Sequence, residues 1–362
     1  MTERAKNICN QLRDEPLLHL SLHSKELFHS NVIAWFCETF PESARNVLSK
    51  WVPNRNTTTH RVQREKQNLD LSIEIPGLAP AIIENKVFSP PDTAQLERYS
   101  EKFVKLENLE NPTFLLLSLG NPNWSDSTFV SSSGPVWRYI SYRDLAEALV
   151  ENIQGLNGFS GDVLRHYATF ISLISDLVDE LAHPELHEPI DLSPSARELL
   201  EPIRLHSAIE KFRYQASRAV IEREMTSSVA AVNPKFDSNF TTGTPLIEAF
   251  VRCGNEDEVG WQYQNNSWRL AVKTKLHSGV SADLKVLRHQ LVEKQYIGWF
   301  NFSPIQDLIG RDVSDVPKNE LKGGFNSYAP DFTYRHRELP ALTLSELITL
   351  SRHYLAEAKK WI

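Results

Sequence analysis

Asp70, Glu84 and Lys86 are the residues whose types and spacing could do chemistry. Hydrolysing a phosphodiester needs a cation to neutralise developing charge, carboxylates to hold that cation, and a group that readies a water for attack. One carboxylate at the head of a strand and another in the adjoining strand, across the Pro76-Gly77 turn, can converge on a single hard cation of the Mg2+ or Mn2+ kind. The Asn85 carbonyl is available there as a further oxygen ligand. Lys86 follows Glu84 by two residues, so both project from one strand face. It could orient or help deprotonate the attacking water, or stabilise charge. An isolated E-x-K triplet carries little information. This one interrupts the otherwise apolar run AIIENKVF, where Glu and Lys are costly unless paired or functional. The plainer readings are an internal Glu84–Lys86 ion pair and a turn-side Asp70.

These residues need elements to position them. Leu69, Leu71, Ile73 and Ile75 alternate with Asp70, Ser72 and Glu74, which predicts a strand over 69–75 with one apolar face and Asp70 on the other. Residues 59–67 read as the strand before it and 81–88 as a more central strand after it. Helical spacing from Ser24 to Cys37 gives a helix with Ser24 as N-cap and Glu26 near its start, a position the helix dipole favours in any case. Asp92 or Thr93 can open a helix to about Glu107, with Gln95 and Tyr99 four residues apart on one side. A buried strand at 113–119, a loop over about 120–135, a strand at 136–140 and a helix opening at Ser141–Asp144 complete the order αβββαβ. Further helices are expected at 162–181, 196–225 and 343–361. Asn265-Asn266 joins two strand-like runs as a hairpin turn. The His/Pro-rich stretch 183–194 reads as a linker.

With 362 residues, 41% of them hydrophobic, the chain can bury full cores, and its length suggests two domains. The net charge of −7 argues against coating nucleic acid by bulk basicity and requires phosphate contacts to come from local patches. Residues 1–190 carry 17 Lys and Arg against 25 Asp and Glu, whereas 191–362 carry 22 against 21, so the halves are expected to do different jobs. Cys9, Cys37 and Cys253 are odd in number and far apart, giving neither a disulfide framework nor a zinc knuckle. No apolar run is long enough to span a bilayer and the N-terminus has no signal pattern, so the expected address is the cytoplasm, with no membrane partner.

The order Glu26, Asp70, Glu84-Asn85-Lys86 and Gln95-Leu96-Glu97-Arg98-Tyr99 resembles the PD-(D/E)XK nuclease superfamily over about residues 20–140. Carried over by position, the resemblance implies that Asp70 and Glu84 are metal ligands and that Lys86 is the catalytic lysine. Glu26 would complete the metal shell through water, and Gln95 with Tyr99 would brace the site or meet the backbone near the cut. Asn68-Leu69 stands before Asp70 where the motif's name has proline, which removes no ligand. Ser24-Lys25-Glu26-Leu27-Phe28-His29-Ser30 and IIENK resemble bacterial members found in defence or mobile-element settings. The implied protein is α/β, with a restriction-endonuclease-like core at 1–190. A mixed α/β C-terminal domain at 191–362 would select substrate or mediate assembly with another copy or a partner. The implied reaction is Mg2+- or Mn2+-dependent phosphodiester hydrolysis, with DNA the expected substrate and RNA left open. The alternatives are a nuclease-derived binding or assembly module without catalysis, and a protein whose E-x-K is structural.

Other constellations weigh less. His19, His23, Glu26 and His29 include an i, i+4 histidine pair, but no H-E-x-x-H pattern occurs. Glu65 could join the acidic residues, although a solvated strand face suits it better. Trp261, Tyr263, Trp268, Arg269, Lys273 and Lys275 alternate in a way that could make a stacking and phosphate-binding face, but tryptophans in such a strand pair more often fill a core.

Overall fold

The alternating apolar run around Asp70 and the nearly unbroken one around Glu84 become neighbouring strands of a six-stranded mixed sheet. The computed structural model describes residues 2–66, 69–106, 111–226, 232–241, 243–313, 324–328 and 330–362. They divide into two units, Met1–Ala182 with Pro194–Phe212, and His183–Ser193 with Arg213–Ile362. The first contains, in chain order, α1 (Glu3–Arg13), α2 (Pro16–Ser24), α3 (Glu26–Thr39), α4 (Pro41–Leu48), β1 (Arg61–Lys66), β2 (Leu69–Glu74), β3 (Ala81–Lys86), α5 (Thr93–Leu106), β4 (Thr113–Ser118), β5 (Thr128–Val130), β6 (Val136–Ser141), α6 (Tyr142–Asn152), α7 (Gly158–Leu181) and α8 (Pro194–Leu200). Asn68 and the end of the helix expected at Glu107 lie outside the described residues.

The sheet order is β1-β2-β3-β4-β6-β5, with β3, β4 and β6 parallel and the remaining pairs antiparallel. The most apolar strands, β3 and β4, are interior, as strands covered on both faces must be. On one face Ile82, Phe114, Leu116 and Trp137 pack with Leu96 of α5. Leu71 and Ile83 are register partners and buried residues of the other face, where α3 packs. The expected αβββαβ core is thus present. Ser141 caps α6 in a capping box with Asp144.

Local chemistry moves some boundaries. Ser24 ends α2 rather than capping α3; the junction is Lys25 at φ 46°, ψ −121°, with no side-chain cap. The expected loop at 120–135 contains the short edge strand β5. The helix expected at 196–225 is broken, because Arg204 turns at φ 55° and buries Ile203 and Leu205 between α8 and α9 (His206–Thr226).

The stretch read as a linker is part of the second unit. Ile190 is fully buried and its N–H bonds to the Leu342 carbonyl at 2.9 Å. Arg213 satisfies the carbonyls of Ile190 and Pro189 at 2.8 and 2.7 Å, and Asp191 accepts from the Tyr214 and Tyr263 hydroxyls at 2.6 Å each. Polar composition hid this burial because its backbone is satisfied by Arg213 together with a short pairing to residues 342–345 that is too brief to be a strand.

The second unit continues with β7 (Lys235–Thr241), β8 (Thr244–Arg252), β9 (Glu258–Gln264), β10 (Ser267–Lys273), α10 (Ala282–Tyr296), α11 (Ile305–Ile309), β11 (Asn326–Tyr328), β12 (Phe332–Glu338) and α12 (Leu344–Glu357). Its antiparallel sheet runs β11-β12-β10-β9-β8-β7. Asn265 and Asn266, at φ 49° and 58°, make the expected tight hairpin. Trp261, Tyr263 and Trp268 are fully buried, the two indoles stacked at 4.8 Å. Alternation sends Arg269 and Lys273 to the opposite face, so these rings and bases do not form one stacking surface. The three cysteines are free and buried. Among the described residues no helix is long and apolar enough to cross a membrane.

One buried group makes the first unit acid-sensitive. His29 on α3 lies wholly inside a cage of Phe28, Phe88, Tyr142, Tyr167 and Phe170, and burial lowers its pKa from 6.5 to about 3. The unfolded chain therefore takes up this proton first: His29's share of stability is intact above about pH 6.5 and is lost as pH falls towards 3. The loss should approach about 1.4 kcal/mol per pH unit. Denaturant melts of wild type and His29→Leu between pH 7 and 5 should converge, the wild type losing more; parallel pH dependences would show that His29 is not held neutral.

Candidate active site

The site forms where the β2–β3 ladder ends. Backbone pairing runs from Ile73↔Ala81 to Leu71↔Ile83. Beyond it, Oδ2 of Asp70 accepts the Asn85 N–H at 2.7 Å, so a carboxylate stands where a strand would continue. Alternation puts Asp70 on the face of Ser72 and Ile82, which is also the face of Glu84 and Lys86, and the Asp70 and Glu84 carboxyls meet there.

Glu84 is 1% exposed. Its Oε1 receives the Lys86 ammonium at 3.0 Å and the Gln95 amide at 3.0 Å, and Gln95 also donates to the Tyr99 hydroxyl at 2.6 Å. Its Oε2 is buried without a partner. Glu26, the first residue of α3, accepts from Ser89 Oγ at 2.9 Å. Asn85 sends its side chain to the other face, where Nδ2 donates to the Glu26 carbonyl at 3.0 Å and to Ser30 Oγ at 3.1 Å.

The structure therefore gathers Asp70, Glu84, Lys86, Gln95 and Tyr99 directly, and links Glu26 to them through Asn85. Among the described residues no three His, Cys, Asp or Glu side chains form a ready-made metal cluster. The Glu26 carboxylate is engaged by Ser89, and Lys86 occupies one Glu84 oxygen. The histidine stripe is not assembled: His19 bonds the Arg13 carbonyl, His23 is exposed, and His29 is interior beyond the break at Lys25. Glu65 is exposed at φ 52°.

The electrostatics are those of a site short of positive charge. Burial and then the Asp70 charge push the Glu84 carboxyl up to about 8. Burial also raises Asp70, against the opposing pull of the Asn85 N–H and Lys86. Burial pulls the Lys86 pKa down, but Glu84, Asp70 and Glu26 outweigh it and hold the ammonium above the ordinary lysine range. Burial raises the Tyr99 phenol as well. A buried carboxylate oxygen beside a second carboxylate, with no imidazole or thiolate among the site's side chains, suits a hard divalent cation. Asp70, Glu84, the Asn85 carbonyl and Glu26 are the groups that could hold one.

Sequence reasoning missed Ser89, Ser30, Tyr142 and Ser118. Tyr142 donates to Asn85 Oδ1 from the first turn of α6. Ser118 is the register partner of Lys86 on β4, fully buried, with its hydroxyl unpartnered on the same face. It carried a faint signal as a hydroxyl within TFLLLSL. Ser30 lay within the Ser24–Ser30 segment that carries the resemblance, and Ser89 and Tyr142 carried no signal.

Residues 17–169 match the family model described as the PD-(D/E)XK nuclease superfamily, and Glu26, Asp70, Glu84, Lys86, Gln95 and Tyr99 all fall inside the match. No curated protein and no solved structure matches the chain.

Because the fold keeps Glu84 protonated where an unfolded glutamate ionises, it holds more protons between about pH 4.5 and 8. Glu84's share of the metal-free protein's stability should therefore fall as pH rises through that window, and shows unopposed between about pH 6.5 and 8, where His29 is neutral in both states. Mg2+ or Mn2+ should offset the loss, raising Tm more at about pH 8 than at about pH 6, since cation and proton compete for the same oxygens. Glu84→Gln should flatten the pH slope and abolish the metal-dependent rise; an equal metal effect in wild type and Glu84→Gln would place cation binding elsewhere.

Proposed function

We propose that this segment of the nuclease superfamily hydrolyses phosphodiester bonds with Mg2+ or Mn2+, and that its substrate is DNA. The observation that carries the reading is Glu84: one oxygen held by Lys86 and Gln95, the other buried, and the carboxyl in hydrogen-bond contact with that of Asp70. A purely structural ion pair leaves no reason to bury a second carboxylate beside the first. A divalent cation, when bound, neutralises charge on the phosphate and acidifies a water. Asp70, Glu84, the Asn85 carbonyl and Glu26 would hold it.

The chain's own residues do the rest. Gln95, clamped between Glu84 and Tyr99, fixes the carboxylate from α5. Lys86, held as an ammonium, serves as a donor that orients the attacking water and stabilises charge on the phosphate. Residues 1–190 are assigned the chemistry and 191–362 substrate selection or assembly, a division supported by the acidic and near-neutral charge of the two halves. A role in defence against foreign nucleic acid rests on the resemblance of residues 24–30 and IIENK to bacterial defence-type members.

Cleavage of plasmid, linear DNA and RNA should require Mg2+ or Mn2+ and be abolished by chelation. Lys86→Ala should lower the rate about 10²–10⁴-fold while folding and metal binding persist. Asp70→Asn should weaken metal binding itself, because an amide replaces an anionic ligand. Undiminished cleavage by Lys86→Ala with a lowered Tm would leave Lys86 as an ion-pair residue and defeat the assignment. Metal-loaded wild type that binds DNA without cutting it would leave a nuclease-derived binding module.

A further inference from the structure

A polar chain runs through the apolar interior behind the acidic face. Asn85 lies between Glu84 and Lys86, so alternation turns its side chain away from theirs, and it is fully buried. Every part of its amide is used. Oδ1 accepts from the Tyr142 hydroxyl, and Nδ2 donates to the Glu26 carbonyl and to Ser30 Oγ. The Tyr142 hydroxyl also meets that of Tyr167, which lies 3.0 Å from Nδ1 of His29. All four residues are at most 1% exposed, and they come from β3, α6, α7 and α3.

Asn85 is consequently tied to the Asp70 carboxylate directly and to Glu26 through that residue's main chain. Its main-chain N–H holds the Asp70 carboxylate, while its side chain holds the helix end that carries Glu26. If the Asn85 peptide or amide rotates, both contacts are disturbed together. Among the described residues Tyr142 supplies the hydrogen bond to its Oδ1, and a buried amide oxygen without a donor is costly enough to make rotation favourable.

We propose that Tyr142 and the Asn85 side chain are positioning groups for the divalent-cation site: the Tyr142 hydroxyl locks the Asn85 amide, and Asn85 sets the spacing between the Asp70 carboxylate and the start of α3 that carries Glu26. The inference rests on the reading above that these carboxylates hold a cation. Tyr142 touches neither substrate nor cation and acts through Asn85. Nothing in the E-x-K spacing requires an amide at the middle position; this chain uses it to join the sheet to α3 and α6.

Tyr142→Phe tests this while keeping the ring against His29 and the apolar cage. Calorimetric titration of the full chain with Ca2+ or Mn2+ should show binding weakened about 10–100-fold, the range seen when partners behind a metal ligand are removed. Excess Mn2+ should restore cleavage in Tyr142→Phe towards the wild-type rate. A merely structural hydroxyl would lower Tm but leave the folded protein's cation affinity unchanged, and that result would overturn the proposal. If wild type takes up no divalent cation, the functional reading fails by itself. Positioning is then read from hydrogen exchange of the Asn85 amide, which the Asp70 carboxylate protects. Tyr142→Phe should exchange it faster while β4 keeps its protection; unchanged exchange would overturn the proposal.

Discussion

Glu84 sits almost wholly out of water beside a second carboxylate, and the first unit is arranged around the cost of that placement. A buried anion is tolerated only when charge and hydrogen bonds replace its lost hydration. Lys86 and Gln95 supply those groups to one oxygen, which is why α5 must pack on this face, with Leu96 seating it among Ile82 and Leu116. The other oxygen is left unsatisfied. The ladder stops short of Asp70 for a related reason, since the carboxylate takes the N–H that a continuing strand would use.

The second unit solves a different problem with similar means. Its six antiparallel strands bury two tryptophans and a tyrosine on one face and hold a charged array on the other. There Arg269 bonds Gln262 and Gln264, while Glu248 accepts from Gln262 and pairs with Lys273. These side chains satisfy one another across β8, β9 and β10. The arrangement fixes register where apolar alternation alone would serve only one face.

Much of this was legible in the sequence, for identifiable reasons. Period-2 alternation around Asp70 and the apolar strand interrupted by Glu84 and Lys86 located β2 and β3, and Gln95 with Tyr99 fell on α5 because helical spacing leaves little freedom there. The Asn265-Asn266 turn was readable because few residues adopt positive φ twice in succession. What stayed hidden were contacts between residues far apart in sequence. Tyr142 and Asn85 meet across 57 positions, and Ser89 reaches Glu26 across 63. The break at Lys25 was hidden for another reason: a lysine in a backbone region that favours glycine has no compositional mark, and tertiary packing has to impose it.

The division between the units has a consequence for biosynthesis. The chain crosses it after Ala182, again after Ser193 and again after Phe212. The first unit cannot complete its packing until α8 and the start of α9 have left the ribosome, although its sheet is finished at Ser141. The segment His183–Ser193 waits longer, because Ile190 finds its backbone partner only at Leu342. Assembly is therefore nested rather than sequential, with a long loop to close before the last contacts form. A single break in the chain cannot separate the two units cleanly, so exchange of the C-terminal unit between proteins has to carry the short inner segment with it.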